Sequence, residues 1–187
     1  SQFMRFSPSL LTLKYRGTLA KQNVALLRLC FLKGFLSQHH ETVSFVNAEQ
    51  LAQRIGLRIE EEKDHHFSDY ENALKCTLSK REEEFTIGGV VFSGPHPRLT
   101  LINGFVLEMA LTGTILTIKN NDKPGMIGAI GACLGKHNVN IDQFNLGRDQ
   151  KGGEAIALLR VDDDIEENVL RELEKLPNIN FVCKIIL

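Results

Sequence analysis

With 187 residues, 43% of them hydrophobic, the chain is long enough for one large domain or two small ones and too apolar to be disordered. Its 22 basic and 23 acidic residues nearly cancel, which excludes the broad positive field that nucleic acid or an anionic membrane would need. A small molecule or another protein is the expected partner.

Ser1–Phe3 ahead of Met4 read as a cloning remnant. Leu10 to Tyr15 partly alternates and predicts a strand, with a turn at Gly17. Asn23 is placed to cap a helix whose Val24, Leu27, Phe31 and Phe35 recur at three- and four-residue spacing. The apolar run Leu26 to Leu36 is broken by Arg28 and Lys33 and is too short for a bilayer. No secretory signal precedes it, so the cytoplasm is the expected compartment. Asn47 is placed to cap a second helix through Ile55, which Gly56 would end.

Short strands follow at Leu57 to Glu61, Asn72 to Ser79, Glu84 to Phe92, Leu99 to Ile102 and Phe105 to Met109. Asn103-Gly104 between the last two predicts a type I′ hairpin. Leu111-Thr112-Gly113 reads as a linker between a mixed α/β domain, 4–111, and a second domain, 113–187. The second domain predicts strand Thr114 to Lys119, helix Met126 to His137, strand Asn140 to Gly147, strand Glu154 to Val161, helix Glu166 to Lys175 and strand Ile179 to Ile186. That order is βαββαβ, the ferredoxin-like arrangement, and makes the whole chain α+β. Its open edge strand predicts a homodimer or higher homo-oligomer.

Few residues suggest chemistry. Cys30, Cys76, Cys133 and Cys183 form no C-x-x-C, and their apolar settings predict buried, reduced thiols. The pairs His39-His40 and His65-His66 lack metal-ligand spacing and read as surface loops, so no metal site is expected. Glu60-Glu61-Glu62 and Glu82-Glu83-Glu84 read as solvated faces or loops. Gly128, Gly131 and Gly135 fall inside a helix, so they predict close packing of that helix on the sheet or on a partner, not a nucleotide loop. No catalytic residue is assigned. Lys119 to Gly128 stands apart. Pro124 is expected at the first helical position, and Asp122 either caps the helix or faces a ligand. The free amides near Gly125 and Met126 suit a carboxylate, and Asn120 with Asp122 would suit the other end of an amino acid.

Asp122-Lys123-Pro124-Gly125, Leu134-Gly135 and Asn138 to Ile141 resemble an ACT domain, an amino-acid-sensing module. Asn140 to Arg148 with Gly152-Gly153-Glu154-Ala155 is similar to the ACT domain of long-form D-3-phosphoglycerate dehydrogenases. Gly17 to Ala20, Leu32 to Leu36, Val46-Asn47-Ala48, Gly56-Leu57, Asp69-Tyr70, Pro97-Arg98 and Ile102 to Phe105 resemble the allosteric substrate-binding domain that precedes it there. The resemblance implies a regulatory fragment without catalysis of its own, with NAD held by a catalytic part absent from this sequence. It implies L-serine as feedback effector, bound at an ACT dimer interface by Asn120 and Asp122 of one subunit and Asn140 of its neighbour. Many members have histidine where this chain has Asn120, which keeps a donor but cannot become cationic. Arg98, Lys119 and Arg148 are candidates for an anion site. The alternatives are the regulatory segment of an iron-sulfur L-serine dehydratase and a free-standing amino-acid sensor.

Overall fold

The computed structural model describes residues 4, 6–38, 40–66, 70–92, 94 and 96–187. Ser1–Phe3, His39 and Asp69, singled out in the sequence, lie outside them. Internal contacts divide the chain into two units, 1–95 and 96–187.

The first unit contains β1 (Leu10–Gly17), α1 (Ala25–Leu36), α2 (Ala48–Arg54), β2 (Arg58–Asp64), β3 (Asn72–Lys80) and β4 (Glu83–Phe92), with a short 3-10 turn at Thr18–Lys21 that the sequence did not suggest. β1 pairs with β2 in parallel and with β3 antiparallel, and β4 continues beyond β3. Leu11, Leu13 and Tyr15 of β1 meet Leu32 and Leu36 of α1 and Ala48 and Ala52 of α2 in the core. α1 begins one residue later than an Asn23 cap would place it, and Asn23 Oδ1 accepts from the Ala25 amide at 3.1 Å. Asn47 stands at the N-cap position of α2, as expected, but its side chain does not bond the first-turn amides. Its Oδ1 accepts from the Ser44 amide and its Nδ2 donates to the Thr42 carbonyl, which folds the preceding loop on itself.

Glu60–Glu62 lie exposed on β2, a solvated face as expected, and Glu61 also accepts hydrogen bonds from the Tyr15 hydroxyl (2.7 Å) and Arg28 Nη1 (2.6 Å). A carboxylate was needed to satisfy a phenol whose residue is fully buried. Cys76, Cys133 and Cys183 are buried, and burial pushes the Cys76 thiol up to about 12, but Cys30 is exposed on the outer side of α1. Apart from Arg28 and Lys33 that helix is apolar on all sides, so hydrophobic neighbours in sequence did not mark its inner face.

The second unit holds the hairpin β5 (His96–Ile102) and β6 (Phe105–Ala110), then β7 (Thr114–Asn121), α3 (Met126–Lys136), β8 (Ile141–Arg148), β9 (Glu154–Val161), α4 (Glu167–Glu174) and β10 (Ile179–Ile186). Asn103 and Gly104 both take positive φ, as a type I′ turn requires. Contacts group this hairpin with the strands that follow it, since β6 lies close against β8: a Cβ on Gly147 would sit 2.9 Å from the Val106 carbonyl oxygen. The last four strands form an antiparallel sheet in the order β10-β7-β9-β8. Leu116 and Ile118 of β7 and Ala157, Leu159 and Val161 of β9 pack under Ile130, Cys133 and Leu134 of α3 and Val169 and Leu173 of α4.

Candidate functional site

Strand alternation sets the centre of the site. Leu116 and Ile118 face the helix-covered core, and the next residue in that register is Asn120, only 2% exposed. Its Nδ2 donates to the Asn121 carbonyl at 2.9 Å, whereas Oδ1 has no hydrogen-bond partner among the described residues. The chain leaving β7 is held from both sides, since the Asn121 amide donates to the Asn178 carbonyl (2.9 Å) and the Asp122 amide to the Gly153 carbonyl (2.8 Å).

Pro124 is not the first helical residue. Lys123-Pro124-Gly125-Met126 turns before the helix, with the Met126 amide over the Lys123 carbonyl (3.4 Å) and Gly125 at φ 88°, ψ −8°. Those angles match the third position of a type II turn, where proline precedes and glycine avoids a Cβ clash. Helix α3 therefore starts at Met126, and no side chain caps it. Helix geometry leaves the first-turn amides without intrahelical acceptors. Gly128, Gly131 and Gly135 lie within this helix, away from any strand-to-helix turn, and do not fit a dinucleotide. Nor do they pack on the sheet, because a Cβ at each would meet nothing within 4 Å.

Asp122 does not cap α3 either. Its Oδ2 accepts from the Gly152 amide (3.0 Å) and Arg148 Nη1 (3.4 Å), tying the loop to the turn between β8 and β9. The Gly152 hydrogen bond and then the Arg148 charge hold this carboxyl below its ordinary pKa. Lys119 pairs with Glu154 (2.9 Å) and Arg98 with Glu108 (3.7 Å), so each of the three candidate anion-binding cations faces a carboxylate. Asn140 lies just before β8 and donates to Asp162 Oδ2 at 2.6 Å.

Asn120, Asp122, Pro124, Gly125 and Met126 line one open pocket of about 240 Å³, and Asn140 of the same chain does not. The sequence reading missed Phe144 and Leu146, which close one side. Their signal was the alternation Phe144, Leu146, Arg148 along β8, hidden by an irregular register between Ile141 and Gln143. Ile127 and Ile130 of α3 add apolar wall. Among the described residues, no three His, Cys, Asp or Glu side chains are grouped to hold a metal.

A βαββαβ sheet with its pocket at the first strand-to-helix turn is the arrangement of an ACT domain, and the ACT domain model matches residues 114–178. The model for the D-3-phosphoglycerate dehydrogenase intervening domain matches residues 1–103, and the chain belongs to that family. D-3-phosphoglycerate dehydrogenase of Bacillus subtilis is 32% identical over 96% of this chain and 34% of its own length. The enzyme of the same name from Methanocaldococcus jannaschii is 31% identical over 91% of this chain and 32% of its own. The chain thus spans about a third of these relatives. A probable L-serine dehydratase β chain of Bacillus subtilis is 31% identical over 74% of this chain and 63% of its own length.

Proposed function

We propose that the ACT domain binds L-serine as a feedback effector and that the chain is the regulatory part of a D-3-phosphoglycerate dehydrogenase. The pocket carries this reading. At about 240 Å³ it falls below the roughly 300–1,000 Å³ of sites for larger ligands, which suits a small amino acid. The uncapped first turn of α3, at the positive end of the helix dipole, favours the ligand carboxylate. Asp122 supplies a carboxylate for the ammonium. An ammonium at Asp122 competes with Arg148, so binding loosens the hold on the 149–152 turn and couples the site to β8.

The site is completed by a second copy. β8 is an edge strand of its sheet, and beside it Ile127 (55% exposed) and Leu146 (40% exposed) leave apolar surface open. The outer side of α3 carries Gly128, Gly131 and Gly135, smooth enough for close approach. Pairing two β8 edges would extend the sheet and bring Asn140 of the partner subunit to the pocket rim.

Among the described residues, no helix is long and apolar enough to cross a membrane. The resemblance to the dehydrogenases supports the cytoplasm as the compartment. NAD belongs to the parent enzyme outside this chain, and no anion site is assigned to Arg98, Lys119 and Arg148 while carboxylates occupy them. The dehydratase match favours a second reading of the parent, as an L-serine dehydratase, in which the same pocket would sense serine. Calorimetry decides the effector: L-serine binds the parent chain, and Asp122→Ala weakens it by roughly ten- to a hundredfold, the usual effect of losing a charge-assisted contact. Absence of serine binding at millimolar concentration, or equal binding by both proteins, would overturn the reading.

A further inference from the structure

Strand β8 is shared between two surfaces. Phe144 and Leu146 turn toward α3 and wall the pocket, so by strand alternation Gln143, Asn145 and Gly147 turn to the opposite face, where β6 lies. Gln143 Nε2 donates to the Glu108 carbonyl at 3.4 Å, and the Val106 carbonyl oxygen stands 2.9 Å from where a Gly147 Cβ would be. Asn145 comes between these two contacts in the strand. Its Nδ2 is shut off from solvent and has no hydrogen-bond partner among the described residues. Both polar groups that β6 is seen to bring to this face are carbonyl oxygens, so the nitrogen is the end of the Asn145 amide that belongs there. A buried donor left unpaired is costly, and the Gln143 bond is longer than an ordinary N–H···O bond. The hairpin is thus held on β8 short of its best fit.

We propose that the β5–β6 hairpin is a strap with a second, closed position on β8, in which Asn145 Nδ2 donates to the Val106 carbonyl, and that filling the pocket drives it there. The driving ligand rests on the amino-acid reading of the pocket. Residue spacing suits the closed position. Gln143 and Asn145 lie two residues apart on β8, as Glu108 and Val106 do on β6, and the pairs run in opposite directions. One small approach therefore shortens the Gln143 bond and makes the Asn145 bond together. The push comes from the other face of β8. A ligand wedged between α3 and the side chains of Phe144 and Leu146 presses β8 away from α3, toward β6. An ammonium that takes Asp122 from Arg148 frees the end of β8 for that movement.

Side-chain amide exchange followed by NMR on the full chain, together with calorimetry, tests this. Saturating L-serine should slow exchange of the Asn145 and Gln143 side-chain amide protons. Binding and closure favour each other reciprocally, so Asn145→Leu, which has no donor, should bind L-serine roughly three- to tenfold more weakly. Its stability in urea should not fall, because the replaced amide was unpaired, and that separates a linked strap from a general loss of structure. Serine binding that leaves both side-chain amides exchanging as before would overturn the strap while leaving the amino-acid site in place. Serine binding by folded Asn145→Leu as tight as by the parent would do the same. Failure of L-serine to bind the parent at millimolar concentration would remove the pocket reading and this inference with it.

Discussion

Gly147 of β8 lies close against β6, and replacing it gives a sharp test of how the second unit is packed. A Cβ built there lies 2.9 Å from the Val106 carbonyl oxygen, 3.2 Å from Phe105 Cβ and 3.6 Å from Ile156 Cγ2. Two of these atoms sit on or next to the β6 backbone, which cannot swing aside like the tip of a flexible side chain. Overpacking of this kind costs about 1–3 kcal/mol, against about 0.5–1 kcal/mol recovered by removing a strand glycine. Gly147→Ala should therefore lower stability by roughly 0.5–2 kcal/mol. Gly34→Ala is the control. It lies in α1, away from the proposed partner surface, with nothing within 4 Å of an added Cβ, and should stabilise by about 0.5–1 kcal/mol through helix propensity. Urea unfolding of both variants against the parent reads the two signs. A Gly147→Ala protein as stable as the parent would refute the close approach of β6 to β8.

Other consequences are equally direct. Because Gly152 and Arg148 depress the Asp122 pKa in the folded chain, their stabilisation is complete above the ordinary carboxylate range and is lost as pH falls through the depressed value. Hydrogen exchange at the Gly152 amide should accelerate over that acid window in the parent and show no such step in Asp122→Ala. Ile127→Glu and Leu146→Glu should each shift sedimentation toward monomer, and an unchanged oligomer in both would place the interface elsewhere. Leu134→Ala, at a fully buried α3 position, should cost about 2–5 kcal/mol in urea unfolding; a loss under 1 kcal/mol would contradict its place in the core. The isolated chain should show no NAD-dependent turnover of 3-phosphoglycerate, and measurable activity in pure protein would contradict a purely regulatory part.

The second unit was legible because its signals are local and consistent. Asn103-Gly104, the helix from Met126 and the strand from Glu154 each carry their own turn chemistry or period, and the observed elements follow them within a few residues. Residues whose partners are distant in sequence were not legible. Glu61 reads only as one of three solvated acids until Tyr15 and Arg28 are seen against it, and Asp122 reads as a helix cap or a ligand group until Gly152 is brought to it across 30 residues. Pro124 misled by one register step, since a type II turn and a proline-led helix share the same letters until Gly125 is known to be left-handed. Phe144 and Leu146 were lost because an irregularity in β8 interrupts the alternation that would have placed them beside α3.

A crystal structure of this chain with L-serine tests the central claim most directly. The account predicts serine in the pocket between Asn120, Asp122 and the first turn of α3, its carboxylate on the helix amides and its ammonium on Asp122. Two copies should be paired through β8, with Asn140 of the partner subunit at the rim. Serine bound at another place, or an empty pocket at saturating serine, would contradict it.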